Sequence, residues 1–239
     1  MGDQAKFLLG ALTLHLGLML NCCAVSESTH LKSGKVLTGS HPNETEGRLV
    51  RERSTPVQIA LVDPVQLSRP HSSVTGLRVN LFYGRNKDLS GVDLGFTNHI
   101  TGRFRGVQLG ATNVVENSFA GIQEGILFND VEGDFAGLQG GALGGVVKGT
   151  FQGVQGGFLN VTTSGDFYGW QVSTVSSVCE KDMRGLQTSL ILNLVKGECN
   201  GIQFGAVNFC DRLKGVQIGL INIVENGPVK FLPLINACF

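Results

Sequence analysis

Between residues 76 and 219 the chain returns ten times to one short pattern: glycine, an apolar residue, a polar residue, any residue, then glycine or a small polar residue. The leading glycines are Gly76, Gly91, Gly106, Gly121, Gly137, Gly153, Gly169, Gly185, Gly201 and Gly215, spaced 14 to 16 residues apart. A unit this short cannot bury an apolar face by itself and must stack on its neighbours. The polar place holds Gln108, Gln123, Gln139, Gln155, Gln171, Gln187, Gln203 and Gln217 in eight units, and Arg78 and Asp93 in the first two. The closing place is glycine in seven units and Asn80, Ser173 or Ser189 in the others. With 34 glycines in 239 residues the chain has about twice the usual ~7 %, which tight turns or close packing must absorb.

Within a unit the period is two. In the third repeat Val107, Leu109, Ala111 and Asn113 share one face, and Phe104, Gly106, Gln108, Gly110 and Thr112 share the other. That alternation is a strand pattern, and helical spacing is not sustained. Segments such as Glu116-Asn117-Ser118, Glu132-Gly133-Asp134, Lys148-Gly149-Thr150 and Ser164-Gly165-Asp166 separate the strands and carry turn chemistry. One strand of roughly ten residues per repeat, with one more at 56–62 and another at 230–239, gives an all-β domain of about twelve short strands.

Two architectures fit this pattern. The first is an antiparallel meander closed as a barrel. The motif is nearly symmetric about its Gln, the strand number is even, and the chain ends on Phe239, as outer-membrane barrels end on an aromatic. Gln would then line the lumen and Val, Leu and Ala would face outward. The alternative is a β-solenoid with one repeat per coil. There Asn98, Asn113, Asn160, Asn208 and Asn222 stack as a ladder at a corner, and the Val/Leu/Ala face forms the core. Against the barrel, a ~25 Å lipid band asks for about five apolar positions per strand. Most repeats offer three or four, and Glu124 and Thr188 sit near the middle of that face.

The N-terminus reads as an export signal. Residues 7–20, FLLGALTLHLGLML, follow a short segment with one lysine, Lys6. At ~1.5 Å per residue the run spans ~21 Å, short of a ~30 Å bilayer core, so it fits a signal peptide rather than a spanning helix. It ends in Leu20-Asn21-Cys22-Cys23, which resembles a bacterial lipoprotein signal, with Asn21 in place of the usual small residue, as in the looser signals of spirochaetes. Cys22, or alternatively Cys23, would carry the lipid and hold the protein to a membrane surface. The domains expected are a signal at 1–21, a polar tether at 22–54 lacking aromatics, and a repeat domain at 55–239.

Chemistry is sparse. Lys plus Arg and Asp plus Glu number 19 each, so no basic field gathers nucleic-acid phosphates. Glycine spacings such as Gly137-Leu138-Gln139-Gly140-Gly141 lack the following helix that a phosphate loop needs. His71 and His99, the histidines of the repeat domain, do not sit at metal-ligand spacing with Cys, Asp or Glu. No serine stands in a nucleophile elbow, and Glu132, Asp134 and Asp166 fall in expected turns. Cys179 and Cys210 lie two repeats apart, ~9.5 Å in either architecture against the ~7 Å a disulfide tolerates, so Cys179, Cys199, Cys210 and Cys238 are expected to be free. The row of Gln either binds a ligand or hydrogen-bonds along the sheet.

The stretch 55–93, TPVQIALVDPVQLSRPHSSVTGLRVNLFYGRNKDLSGVD, with the units after it and the ending KFLPLINACF, resembles the surface repeat-containing lipoproteins of Leptospira-type spirochaetes. The resemblance covers nearly all of 55–239. It implies an exported, outer-membrane-associated protein, and it departs from the family pattern at Gly144, Ser176 and Leu192, where Asn is expected. The function expected is a lipid-anchored surface or outer-membrane repeat protein with a structural or interaction role. Its partners would be the membrane and a protein at the surface, without catalysis, cofactor, metal or nucleic acid. The alternative is an outer-membrane barrel forming a narrow or plugged pore.

Overall fold

A computed structural model describes residues 54–62, 65, 66 and 72–239. The signal segment, Cys22, Cys23 and all but the last residue of the tether lie outside the described residues. The described chain forms β1 (Ser54–Val62), β2 (Val65–Gln66), β3 (Ser73–Asn86), β4 (Leu89–Ile100), β5 (Phe104–Val115), β6 (Phe119–Val131) and β7 (Phe135–Val147). It continues through β8 (Phe151–Thr162), β9 (Phe167–Cys179), β10 (Met183–Ser189), β11 (Leu192–Phe204), β12 (Val207–Val224) and β13 (Phe231–Cys238). The bends between strands fall on the turn segments named above.

The strands do not form an antiparallel barrel. From β3 to β12 each pairing is parallel and in register, so that Gly91, Gly106, Gly121, Gly137 and Gly153 stand one above another. Ten such coils make a β-solenoid, the alternative architecture, and the pore reading falls with the barrel. Antiparallel pairs occur only at its two ends among the described residues, β1 with β2 and β12 with β13. The symmetry of the motif about its Gln misleads, because a palindromic strand pairs equally well with a parallel copy. Parallel stacking additionally sets every residue on its own equivalent.

The core face is also the reverse of the one expected for a solenoid, whereas the barrel reading places Gln inside and Val and Leu outside. Phe104 and Gln108 point inward, while Val107 and Leu109 point out. After Gly110 the chain turns a corner and the alternation slips by one residue, bringing Asn113 and Val115 inside as well. A strict two-residue period carried through the corner places Asn113 beside Val107, so the solenoid reading puts Asn113 inside correctly and takes Val107 and Leu109 in with it. Inside, four rows run the length of the solenoid. One is Phe104, Phe119, Phe135, Phe151 and Phe167, whose rings stack at 4.7–5.0 Å between centroids, close to the ~4.8 Å strand spacing. Leu89 precedes this stack and Met183, Cys199 and Leu213 extend it. Val115, Val131 and Val147 form a second row in the same core. The Gln and Asn rows complete the interior.

The leading glycine has a specific cause. All ten sit at φ between +132° and +149°, a region L side chains rarely adopt. A Cβ on Gly153 would also overlap the carbonyl oxygen of Gly137 in the coil before. Gly156, three residues on, meets its nearest neighbour only at 4.0 Å. Gly153→Ala should therefore lower the unfolding free energy by at least ~3 kcal/mol, whereas Gly156→Ala should change it by less than ~1 kcal/mol, as read by urea denaturation. Equal effects would remove the coil-contact explanation of the motif.

Candidate functional site

The row of Gln is buried, at 0–3 % exposure from Gln108 to Gln217. Each side-chain Nε2 donates to the Oε1 of the Gln one coil earlier, from Gln217 back to Gln108, at 2.7–2.9 Å. The row faces neither a lumen nor outside water, and its amides are spent on one another. All these N–H bonds point towards the N-terminal coils, so the amide dipoles add and polarise one another.

The two exceptions end the run of Gln-to-Gln bonds on its N-terminal side, and β1 sets a further buried glutamine, Gln58, in register beside Arg78. Gln108 Nε2 donates to Asp93 Oδ2 at 2.9 Å, and Arg78 holds the same carboxylate through Nε and NH2 at 2.7 and 2.6 Å. Both side chains have 0 % exposure. Arg78 NH1 also donates to Asn86 Oδ1 and to the His99 carbonyl. Asp93 thus sits where the ladder presents N–H groups, as a carboxylate does at a helix N-terminus. Arginine's planar fork satisfies the oxygens that Gln108 leaves. Arg78 and Asp93 stand at the same place in adjacent repeats with opposite charge, which was the signal that could have identified them from sequence.

A second ladder occupies the corner. Asn80 donates to Asn98, Asn98 to Asn113 and Asn113 to Asn129, all at 2.8–2.9 Å. It resumes as Asn193 to Asn208 to Asn222 at 2.8 Å. Its donors point towards the C-terminal coils, opposite to the Gln ladder, so the two sets of dipoles oppose. The interruptions fall at Gly145 and Ser177, the register partners of Asn160. They do not fall at Gly144, Ser176 and Leu192, each one residue too early, and Asn193 keeps its place in the row. Asn80 and Asn193 each begin a run and Asn160 stands alone, and each of the three has a buried Oδ1 without a donor. Gln217 Oε1, at the open end of the other ladder, is likewise unsatisfied, as is Nδ2 of Asn236, which β13 sets opposite it.

The closing place of the motif makes room for this corner. A Cβ on Gly110 would press on the side chains of Asn98 and Asn113. In two of the three coils where the closing glycine is absent the corner changes with it, while beside Ser189 the corner keeps Asn193. In β3, Asn80 fills the space that Gly84 leaves and joins the ladder from the other position. In β9, Ser173 and Ser177 replace the pair together and hydrogen-bond at 2.7 Å.

The remaining candidates make contacts between successive coils. Asp134 Oδ1 accepts Thr150 N–H and Asp166 Oδ1 accepts Asp182 N–H, linking the turns of successive coils, while Glu132 pairs with Lys148. His99 lies between Tyr83, whose hydroxyl is 2.8 Å from Nδ1, and Glu116, 2.7 Å from Nε2. Burial outweighs Glu116 and lowers the pKa of His99 below its ordinary value. Cys179, Cys199, Cys210 and Cys238 are free, as expected. Burial pushes the Cys179 thiol up to about 12, and Cys199 is raised by its contact with Cys210 and by burial, so both stay protonated at neutral pH. Among the described residues no group of three or more His, Cys, Asp or Glu is placed to hold a metal ion.

What the solenoid offers to a partner is its outer side. The residue after the leading glycine is apolar in all ten coils. Leu77, Ile122, Leu138, Trp170 and Ile202 stand there 40–49 % exposed. Comparison of the chain with protein families, curated proteins and solved structures finds no match.

Because a buried carboxylate stripped of its partner costs ~3–5 kcal/mol, Arg78→Gln should destabilise the domain by about that amount in urea titrations. The double variant Arg78→Gln/Asp93→Gln extends the amide ladder by two rungs and should recover most of the loss. No recovery would show that Arg78 acts through Asn86 and the His99 carbonyl rather than through Asp93.

Proposed function

We propose that this protein is an exported, lipid-anchored module that presents a rigid surface for contact at a membrane or cell surface, without catalysis. The observation that carries the proposal is the continuous apolar row on the outer side of the coils, in a fold whose amides are consumed by internal ladders. A side chain that hydrogen-bonds its own copies inside the core is not available to a ligand, whereas an apolar row left in water is a surface for something else. The N-terminal run and the pair Cys22-Cys23 supply the anchor, and residues 22–54 supply the tether. The resemblance to spirochaetal surface repeat lipoproteins supports the same reading.

Growth of the source cells with a labelled fatty acid tests the anchor. The protein should incorporate label, and Cys22→Ser/Cys23→Ser should abolish it while the solenoid stays folded. Label retained in the double variant, or absent from the unaltered protein, would refute lipidation at these cysteines.

A further inference from the structure

The outer face of the coils carries three adjacent apolar rows. The first follows the leading glycine, and the second, two residues on, includes Val79, Leu109, Phe204 and Ile218, each exposed. The third lies at the corner, where Leu81, Phe96, Ile126, Phe158, Leu190 and Leu220 are 45–71 % exposed. Ten coils at ~4.8 Å and rows ~6.8 Å apart make a strip ~43 Å long and ~14 Å wide, about 600 Å². Glu124, Thr174 and Thr188 interrupt that area, and its apolar part lies within the range of the largest patch an ordinary monomer shows.

The other border of the strip is polar; its first row holds cations and no acid, and the row beyond it holds acids, one of which, Glu198, pairs with Lys214 at 3.1 Å. The residue before the leading glycine is never acidic in any coil, and it is Arg105, Arg184 and Lys214 in three of them. Tyr168 stands in this row beside Arg184, 5.9 Å from its guanidinium carbon to the ring, and next to Trp170 of the first apolar row. Cations and amphipathic aromatics along one edge of an apolar strip match the headgroup level of an anionic bilayer.

We propose that this strip docks on the surface of a lipid bilayer containing anionic lipid, with the coils lying along the membrane rather than standing off it. Three observations favour lipid over a second copy of the chain. The strip is uneven: Gly140 and Gly156 leave the second row bare in successive coils before Val172, and Glu124 beside them must keep its carboxylate at the headgroup level rather than among acyl chains. Mobile acyl chains fill such relief, while a rigid copy would need matching knobs. About 600 Å² per partner is also less than the ~800 Å² of a stable protein interface. Finally, an acyl group on Cys22 would tie the chain covalently to a bilayer, so that lipid is the surface present at the highest local concentration. Only this last point rests on the anchored reading.

Trp170 is the single tryptophan of the chain, so its fluorescence reports this face alone. The test uses full-length protein carrying Cys22→Ser/Cys23→Ser. It is mixed with vesicles of phosphatidylcholine and phosphatidylglycerol at 7:3, with and without brominated phosphatidylcholine. Docking predicts a blue shift of Trp170 emission and quenching of about half of it by the brominated lipid. Leu138→Glu/Ile202→Glu, at exposed positions, should abolish both changes. Arg105→Gln/Arg184→Gln/Lys214→Gln should weaken vesicle binding by about a hundredfold at low salt, at roughly fivefold per cation. Protein that pellets with vesicles while Trp170 emission stays unchanged would overturn the proposal, since the N-terminal segment alone would then hold it. So would a blue shift that depends on protein concentration without vesicles, which would mean the strip pairs with a second copy. Quenching in this variant remains meaningful even if fatty-acid labelling fails, so the two readings stand or fall separately.

Discussion

The structure depends on identical polar side chains stacking on themselves inside a core. A buried primary amide has two donors and an acceptor that must all be met, and a stack of amides at strand spacing meets donor with acceptor at every step. This requirement fixes the register of the coils, because a shift of one residue would turn every Gln from the interior to the outer face and leave Val or Leu inside. An apolar core would tolerate such a slip far better. The Phe stack and the Val row contribute burial, but neither distinguishes one register from the next as sharply as the ladder does. The same requirement explains the ends. At one end a carboxylate clamped by an arginine receives the last amide donor, and at the other the acceptor of Gln217 is left open opposite Asn236. The Asn ladder runs in the opposite sense, so neither end of the solenoid accumulates the full dipole of both.

The glycines follow from the ladders. Parallel coils bring the backbone of each motif against the backbone of the one before, and the leading position takes a φ that excludes a side chain. The closing position yields its space to the corner amide. Two of the three substitutions at the closing place obey this economy of volume, and Ser189 beside an unchanged Asn193 does not. Asn at the closing place is matched by Gly84 in the row where Asn normally stands, and Ser173 is matched by Ser177. Each pair conserves volume and a hydrogen bond, although the residue types change.

Much of this was legible in the sequence. The repeat period, the strand character, the turn segments, the positions of β1 and β13 to within two residues and the separation of Cys179 from Cys210 follow from residue pattern and spacing. The choice between barrel and solenoid did not follow, because a motif symmetric about Gln pairs with itself in either direction. In the solenoid reading the inside and the outside were exchanged for a physical reason. Hydrophobicity assigns Val107 and Leu109 to the core and Gln108 to water, and only the pairing of amides with their own copies reverses that preference. The Phe two residues before the leading glycine in five successive repeats was the clue to the true core, since Phe104 shares a face with Gln108. His99 meeting Glu116 across one coil was not legible, because the distance between them depends on the parallel stacking itself.

The account rests on the Gln side chains being locked in a ladder inside the coils, and the most direct measurement is hydrogen exchange of Gln side-chain amides by NMR. Gln152, exposed on the outer side of β8, serves as the internal reference. The ladder amides from Gln123 to Gln203 should exchange slower than Gln152 by several orders of magnitude, approaching the rate set by global unfolding. Exchange of the motif glutamines as fast as Gln152 would contradict a buried ladder and return the row to water.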